Sequence, residues 1–282
     1  MRRGGSIADQ LAKPFRLHHE ERRTLLMAGM SAGFGSVFGV PWAGAVFGLE
    51  VLSAGRLRAQ AALECLLASF VGHFTCLAWG VKHTSYMPPQ ISSFSLINLF
   101  WCAVAGVVFG LCARGFALST HGVARVFRKI HHAPLRPVAG GILVAAGYFA
   151  LGTFRYAGLG VPVMQQSMLE VVPSFDFAWK FLFTVLTLGS GFKGGEVTPL
   201  LFIGATLGNS LSHWLPLHFS LLSAVGFVGV FAGAANTPWA CTLMAMEIFG
   251  PGVGLFAAVG CWASFLLSGR VGIYHAQVKF RP

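Results

Sequence analysis

Residues 97–119 read INLFWCAVAGVVFGLCARGFALS, with Arg114 as their single charge. A run of this length and polarity suits a helix of about 20 residues crossing a hydrocarbon core ~30 Å thick. Four further stretches approach the same limit, at 24–40, 60–81, 137–153 and 220–235. Composition agrees, since 55% of residues are hydrophobic and only 10% charged, against roughly 25% charged in soluble domains. The chain therefore reads as an all-α integral membrane protein whose first partner is the lipid bilayer.

Other apolar segments, at 38–55, 178–190, 196–212 and 239–249, are too short or are broken by Gly and Pro. Lipid cannot satisfy freed backbone groups, so such breaks belong where the backbone is buried in protein or lines a polar cavity. The 36 glycines and 13 prolines fit that pattern, and glycine also allows membrane helices to pack closely.

A net charge of +11 raises the question of nucleic acid, but the basic residues lie in connecting segments. Arg2, Arg3, Lys13, Arg16, Arg22 and Arg23 form one group, Arg56 and Arg58 a second, and Arg125, Arg128, Lys129 and Arg136 a third. Basic loops beside apolar spans report a cytoplasmic side, and no nucleic-acid partner is expected. The six cysteines lie singly in apolar segments, without metal-ligand spacing, and read as small buried hydrophobes. The opening MRRGGSIADQLAKPF has no apolar core and is not a signal peptide.

The sequence repeats itself. FGSVFGVPWAGAVFGLEVL from Phe34 aligns with FAGAANTPWACTLMAMEIF from Phe231 at an offset of 197 positions. Pro41/Pro238, Trp42/Trp239, Ala43/Ala240 and Glu50/Glu247 coincide. In each copy an apolar helix runs into a turn, Pro opens a second helix where its missing N–H costs nothing, and a Glu closes it. Paired halves with interrupted helices mark transporters and channels whose site lies near the midplane. Upstream, GGSIADQL (Gly4–Leu11) resembles GATLGNSL (Gly204–Leu211), but only the second copy is preceded by GSGFKGGEVTP. That segment satisfies GxGxxG, yet it follows a long apolar run and the next acid after Glu196 is Glu247. The dinucleotide reading fails on context.

GSGFKGGEVTP, GVPWAGAVFGLE and NTPWACTLMAME together resemble the CLC family of chloride channels and anion/proton exchangers, from about Gly4 to Gln277. In that family a GSG(x)PGGxFxP segment opens a half-helix pointing at the anion, and a Pro-Leu-Ala-Gly/Thr-Gly…Glu segment occurs in each inverted repeat. Two departures resemble its bacterial fluoride/proton antiporter branch: GGEVTP stands for the usual GGIFAP, and Val51 follows Glu50 where chloride/proton exchangers carry a second, proton-relaying acid. The resemblance implies a CLC-like bundle of full and half-length tilted helices in inverted repeats, the first incomplete. Residues 1–282 would form one transmembrane domain without CBS domains. Within it, 1–119 would hold the rest of the first repeat and its linker, and 120–282 the second repeat with the anion-site half-helix. It also implies a homodimer through roughly 41–80 and 239–268, and an anion site at Gly194, Gly195, Glu196, Val197, Thr198 and Tyr274. The family's gating-glutamate segment would precede Gly4, so it is expected ahead of Met1.

Local chemistry points the same way for Glu196. An unpaired carboxylate at membrane depth costs ~2.5–3.5 kcal/mol. Behind Gly194 and Gly195 it would stand among helix-start amides that favour a small anion, competing with it when charged and carrying a proton when neutral. Thr198 adds a hydroxyl, and fluoride demands short, strong N–H and O–H donors. The plainer reading of Glu196 is an acid stabilising an ordinary first turn, and that of Tyr274 an interfacial anchor. Glu50 and Glu247 read as structural repeat acids, and His73 as a hydrogen-bonded core histidine. The expected function is fluoride/proton antiport, with fluoride and protons as the transported ions. Chloride transport, and a transport-inactive remnant or membrane subunit, remain open. No cofactor, metal site or enzyme constellation is visible.

Overall fold

The computed structural model describes residues 10, 18–91, 93–269, 272–274 and 277. Among them are eleven α-helices and no strand. In chain order these are α1 (His19–Phe38), α2 (Pro41–Glu50), α3 (Ala62–Ala78), α4 (Leu96–Phe127), α5 (Leu135–Leu151) and α6 (Val161–Leu169). There follow α7 (Asp176–Gly189), α8 (Val197–Leu211), α9 (Phe219–Ala235), α10 (Pro238–Phe249) and α11 (Gly254–Ser268).

Each expected apolar span is a helix: α1, α3, α4, α5 and α9. The interrupted segments become half-length helices of 10 residues in α2, 14 in α7, 15 in α8 and 12 in α10. At 1.5 Å per residue, α2 is roughly 15 Å long, about half a hydrocarbon core. Two spans differ from expectation. α4 continues past residue 119 to Phe127 as one 32-residue helix, because Arg114, His121 and Arg125 interrupt apolarity without opposing helix formation. The repeats' expected division at 119/120 thus falls inside a continuous rod. Pro251–Ser268 is a further candidate span of 18 residues, hidden in the sequence by its Pro-Gly-Val-Gly opening. By length and composition it joins Ala59–Ala78 and Leu96–Phe127 as helices able to cross a membrane.

The core lies where α8 meets α9. FSLLSAVGFVGVFAGAA is apolar all round, as a helix without a solvent face must be, and Ser220 to Ala235 are all buried. Gly204 and Gly208, one turn apart on α8, set the approach. A Cβ at either would stand 2.0 Å from a carbonyl oxygen of α9, at Gly226 or Leu222. Only a bare Cα lets the backbones come that close. Asn209 is buried deeper on α8 and uses its whole amide: Nδ2 donates to the Ser167 and Glu170 carbonyls at 2.7 and 2.9 Å, and Oδ1 accepts from Val172 N at 3.0 Å. One side chain thereby fastens the end of α6 to α8.

The two copies of the Pro-Trp-Ala motif fold alike. α1 ends on a left-handed Gly39 (φ 73°) and α9 on a left-handed Asn236 (φ 56°), and Pro then opens α2 and α10. Asn is among the few residues that accept this region without Gly's freedom. The copies then exchange their acids. Glu50 at the end of α2 accepts from Trp239 N and Ala240 N, at 3.1 and 2.9 Å, at the start of α10. Glu247 near the end of α10 accepts from Trp42 N and Ala43 N, at 3.0 and 2.7 Å, at the start of α2. Each carboxylate satisfies the orphan amides and positive dipole end of the other repeat's half-helix.

Outward faces are apolar. Leu63, Leu67, Val71 and Phe74 form an exposed stripe along α3, and Trp42 and Trp239 project at equivalent repeat positions. His73, expected as a hydrogen-bonded core histidine, instead stacks on His83 with ring centroids 5.3 Å apart, and its Nδ1 is buried without a hydrogen bond. His83 holds the shared position through Nε2 and the Ser36 carbonyl, 2.8 Å apart.

Candidate anion site at the start of α8

α7 delivers the chain to the loop Ser190–Glu196, and α8 resumes at Val197 with Pro199 in its first turn. Gly194 and Gly195 are exposed. A Cβ at Gly195 would meet nothing within 4 Å, and one at Gly194 only Leu188 Cδ2 at 3.7 Å. Neither has a positive φ; within the loop that distinction belongs to Gly191, at 102°. Their glycine character therefore serves open access to the backbone rather than a forced turn.

Glu196 occupies the N-cap position, half-buried, and its side chain caps none of its own helix's amides. It lines a cavity of about 180 Å³ together with Ala117, Thr120, His121 and Ala124 of α4 and Ile273 beyond α11. Val197 packs against the core and Thr198 is half-buried beside it. From Leu200 to Leu211 the half-helix is enclosed by protein. Of the expected anion-site residues Glu196 lines this cavity, while Gly194, Gly195, Val197, Thr198 and Tyr274 are not among its lining residues. The start of a buried half-helix beside it is a position where N–H donors and the helix dipole favour a small anion.

Tyr274 packs against the core with its ring edge-on to Phe47, centroids 6.4 Å apart. Its neighbour Ile273 bonds through its N–H to the Ala234 carbonyl at 3.0 Å and reaches the cavity that Glu196 lines. The structure thus brings Ile273, the neighbour of Tyr274, to the cavity that Glu196 lines, while Glu50 and Glu247 lie apart at the α2–α10 junction. Gln277 secures this segment. Its Nε2 donates to the Val51 and Ala235 carbonyls at 2.9 and 2.6 Å, and its Oε1 accepts from Asn236 Nδ2 at 2.9 Å. One glutamine ties the ends of α2 and α9 to the segment of Tyr274, a role that its neighbours in the sequence do not reveal. The rest of the last expected span of resemblance, including residues 275 and 276, lies outside the described residues, as do residues 1–9.

Sequence reading also missed the brace behind α7. Asp176 is fully buried at the first turn of α7, where Arg155 Nη2 and Nε reach its Oδ2 at 2.8 and 3.0 Å and Tyr156 donates to Oδ1 at 2.9 Å. One turn later, buried Lys180 donates to the Tyr156 and Gly158 carbonyls at 2.9 and 2.7 Å and lies over the Phe202 ring. Charges in an apolar helix are a signal of pairing, and Asp176 and Lys180 four apart were visible as such. The network pins the α5–α6 connection to α7 and so sets the direction from which the loop enters the site. Among the described residues no three His, Cys, Asp or Glu side chains gather as metal ligands would.

Residues 1–269 match the family model described as voltage gated chloride channel. The "Chloride/fluoride channel protein" of Pseudomonas syringae pv. tomato is 52% identical over 281 residues, which are 97% of this chain and 62% of that protein. The chain thus spans less than two thirds of that relative's length. The voltage-gated ClC-type chloride channel ClcB of Escherichia coli is 28% identical over 250 residues, 82% of this chain and 58% of that protein. Among solved structures, a CLC-type fluoride/proton antiporter superposes with TM-score 0.91 at 34% identity, covering 97% of this chain and 70% of its own. A slow cyanobacterial Cl−/H+ antiporter superposes at 0.75 with 23% identity, covering 95% and 66%, and shares the fold. The apolar helices, the paired half-helices and these matches together make this chain a membrane protein of the voltage-gated chloride channel (CLC) family.

Proposed function

We propose that this chain is the anion-site core of a fluoride/proton antiporter, exporting fluoride across a bacterial-type inner membrane as protons enter. One observation carries the reading: Glu196 stands at the start of a buried half-helix, lines a cavity and caps none of its own helix's amides. A carboxylate serving only helix stability would turn back onto those amides, as Glu50 and Glu247 do for their partner helices. Facing the cavity instead, it competes with an anion when charged and admits one when protonated. Thr198 supplies the hydroxyl suited to a small, strongly hydrated anion. The fluoride names of the 52% identical relative and of the antiporter with TM-score 0.91 support the same substrate.

The chloride reading draws support from the ClcB relative, but Glu196, Thr198 and Val51 depart together from the chloride/proton pattern. We further propose that Trp42 and Trp239, with the α3 stripe, face a second copy in a homodimer. To test the substrate, the protein is reconstituted in vesicles loaded with fluoride or chloride, and efflux is followed with ion-selective electrodes. Fluoride should leave at least about tenfold faster than chloride, a discrimination of ~1.4 kcal/mol. Equal rates would return the site to general halide transport.

A further inference from the structure

Coupling protons to fluoride at Glu196 requires a proton path between that carboxylate and water, and Val51 occupies the position where a second acid would stand. The cavity beside Glu196 provides a different path. At about 180 Å³ it has room for several waters, each taking ~30 Å³ in the liquid. Its α4 wall carries Ala117, His121 and Ala124, spaced four and three apart on one helix face. The two alanines leave room on either side of the imidazole. Thr120 also lines the cavity, but its hydroxyl donates back to the Phe116 carbonyl at 2.8 Å. His121 lies one turn before Arg125, where α4 passes from its apolar span into the basic segment.

We propose that His121 is the proton-transfer partner of Glu196. Its imidazole accepts a proton from water at the Arg125 end of α4 on one ring nitrogen. It releases a proton from the other nitrogen to the Glu196 carboxylate, directly or through cavity water. The ring is left neutral and the carboxyl protonated, and the reverse sequence discharges it. Among the described residues lining the cavity, Glu196 is the titratable group facing His121; α7 contributes Leu188, and the segment beyond α11 contributes Ile273. Along α4 the neighbouring charges are Arg125 and Arg114, and Lys193 in the loop ahead of α8 is exposed and does not line the cavity. This inference rests on the fluoride/proton reading above.

The test uses the full chain in proteoliposomes, recording fluoride efflux and internal pH together for the unaltered protein and for His121→Gln. His121→Asn, a smaller side chain, runs in parallel in case Gln fails to fold. Loss of the relay should lower proton movement at least about tenfold, the low end of what positioned acid–base groups contribute. It should also flatten the rate profile between about pH 5 and 8, the window an imidazole supplies. Fluoride binding in detergent by calorimetry should stay within about twofold, because transfer rather than binding is removed. Coupled transport by the unaltered chain, with the same proton rate and pH profile in both variants, would overturn the role of His121 and leave the fluoride reading standing. No fluoride-linked proton movement in the unaltered chain would overturn that reading, and this inference with it.

Discussion

Glu50→Ala should destabilise the protein by about 2–4 kcal/mol, because the buried Ala240 amide and the part-buried Trp239 amide both lose their acceptor, at ~1–3 kcal/mol for a fully buried one. Glu50 is 0% exposed, and its carboxylate is the acceptor for Trp239 N and Ala240 N. Ala240 is buried as fully as Glu50, so its amide is shielded from replacement water, and the positive end of α10 loses its counter-charge. Glu247→Ala removes the equivalent bonds at α2, but Glu247 is half-buried and Trp42 is exposed. Water can re-satisfy those amides in part, so the smaller loss is expected there. Glu50→Gln should fall between, since an amide keeps one acceptor oxygen but turns an NH2 toward an N–H donor. Thermal unfolding in detergent can be followed by a maleimide dye reporting exposure of Cys102, Cys241 and Cys261, all buried in the fold. Equal melting of Glu50→Ala and the unaltered chain would show that the exchanged carboxylates do not hold the repeats together.

Glu196→Gln should give the opposite profile. Proton-coupled fluoride flux should fall by about 100-fold or more, because the amide cannot carry the proton. Melting should shift by less than the equivalent of ~1 kcal/mol, the ordinary worth of a first-turn acid, since Glu196 caps no amide of its own helix. Flux and stability therefore separate the two classes of glutamate. If Glu196→Gln melts early and still exports fluoride with protons, the carboxylate is a structural acid and the transport mechanism assigned to it fails.

Much of the architecture was legible because the repeat is written in residues with few conformational options. Pro41 and Pro238 start helices, Gly39 and Asn236 accept the left-handed turn before them, and each apolar span marks the helix it becomes, although α4 runs on well past its own. The half-helix at Val197 was marked by Gly194, Gly195 and an acid inside an apolar run. What escaped depended on pairing across the fold. That Glu50 serves α10 and Glu247 serves α2 is set by how two distant helices cross, which a linear repeat does not encode. Gln277 reaches three elements at once, and nothing in its neighbours announces that. Asp176 and Lys180 were visible as charges in an apolar helix, but their partners come from the α5–α6 connection. His121 is a single residue on a long helix, without a motif. Only the cavity wall it shares with Glu196 gives it meaning. α11 was passed over because its Pro-Gly opening resembles a break, when the turn at Pro251–Val253 in fact continues into the helix.

The most direct measurement imposes an outward fluoride gradient on vesicles containing the protein, at equal chloride and equal pH on both sides, and records internal pH. Fluoride should leave and protons should enter against no gradient of their own, acidifying the interior, with the movement lost in Glu196→Gln. Fluoride efflux with no change in internal pH, even with a potassium ionophore clamping the membrane voltage, would contradict antiport and make this site a passive anion path.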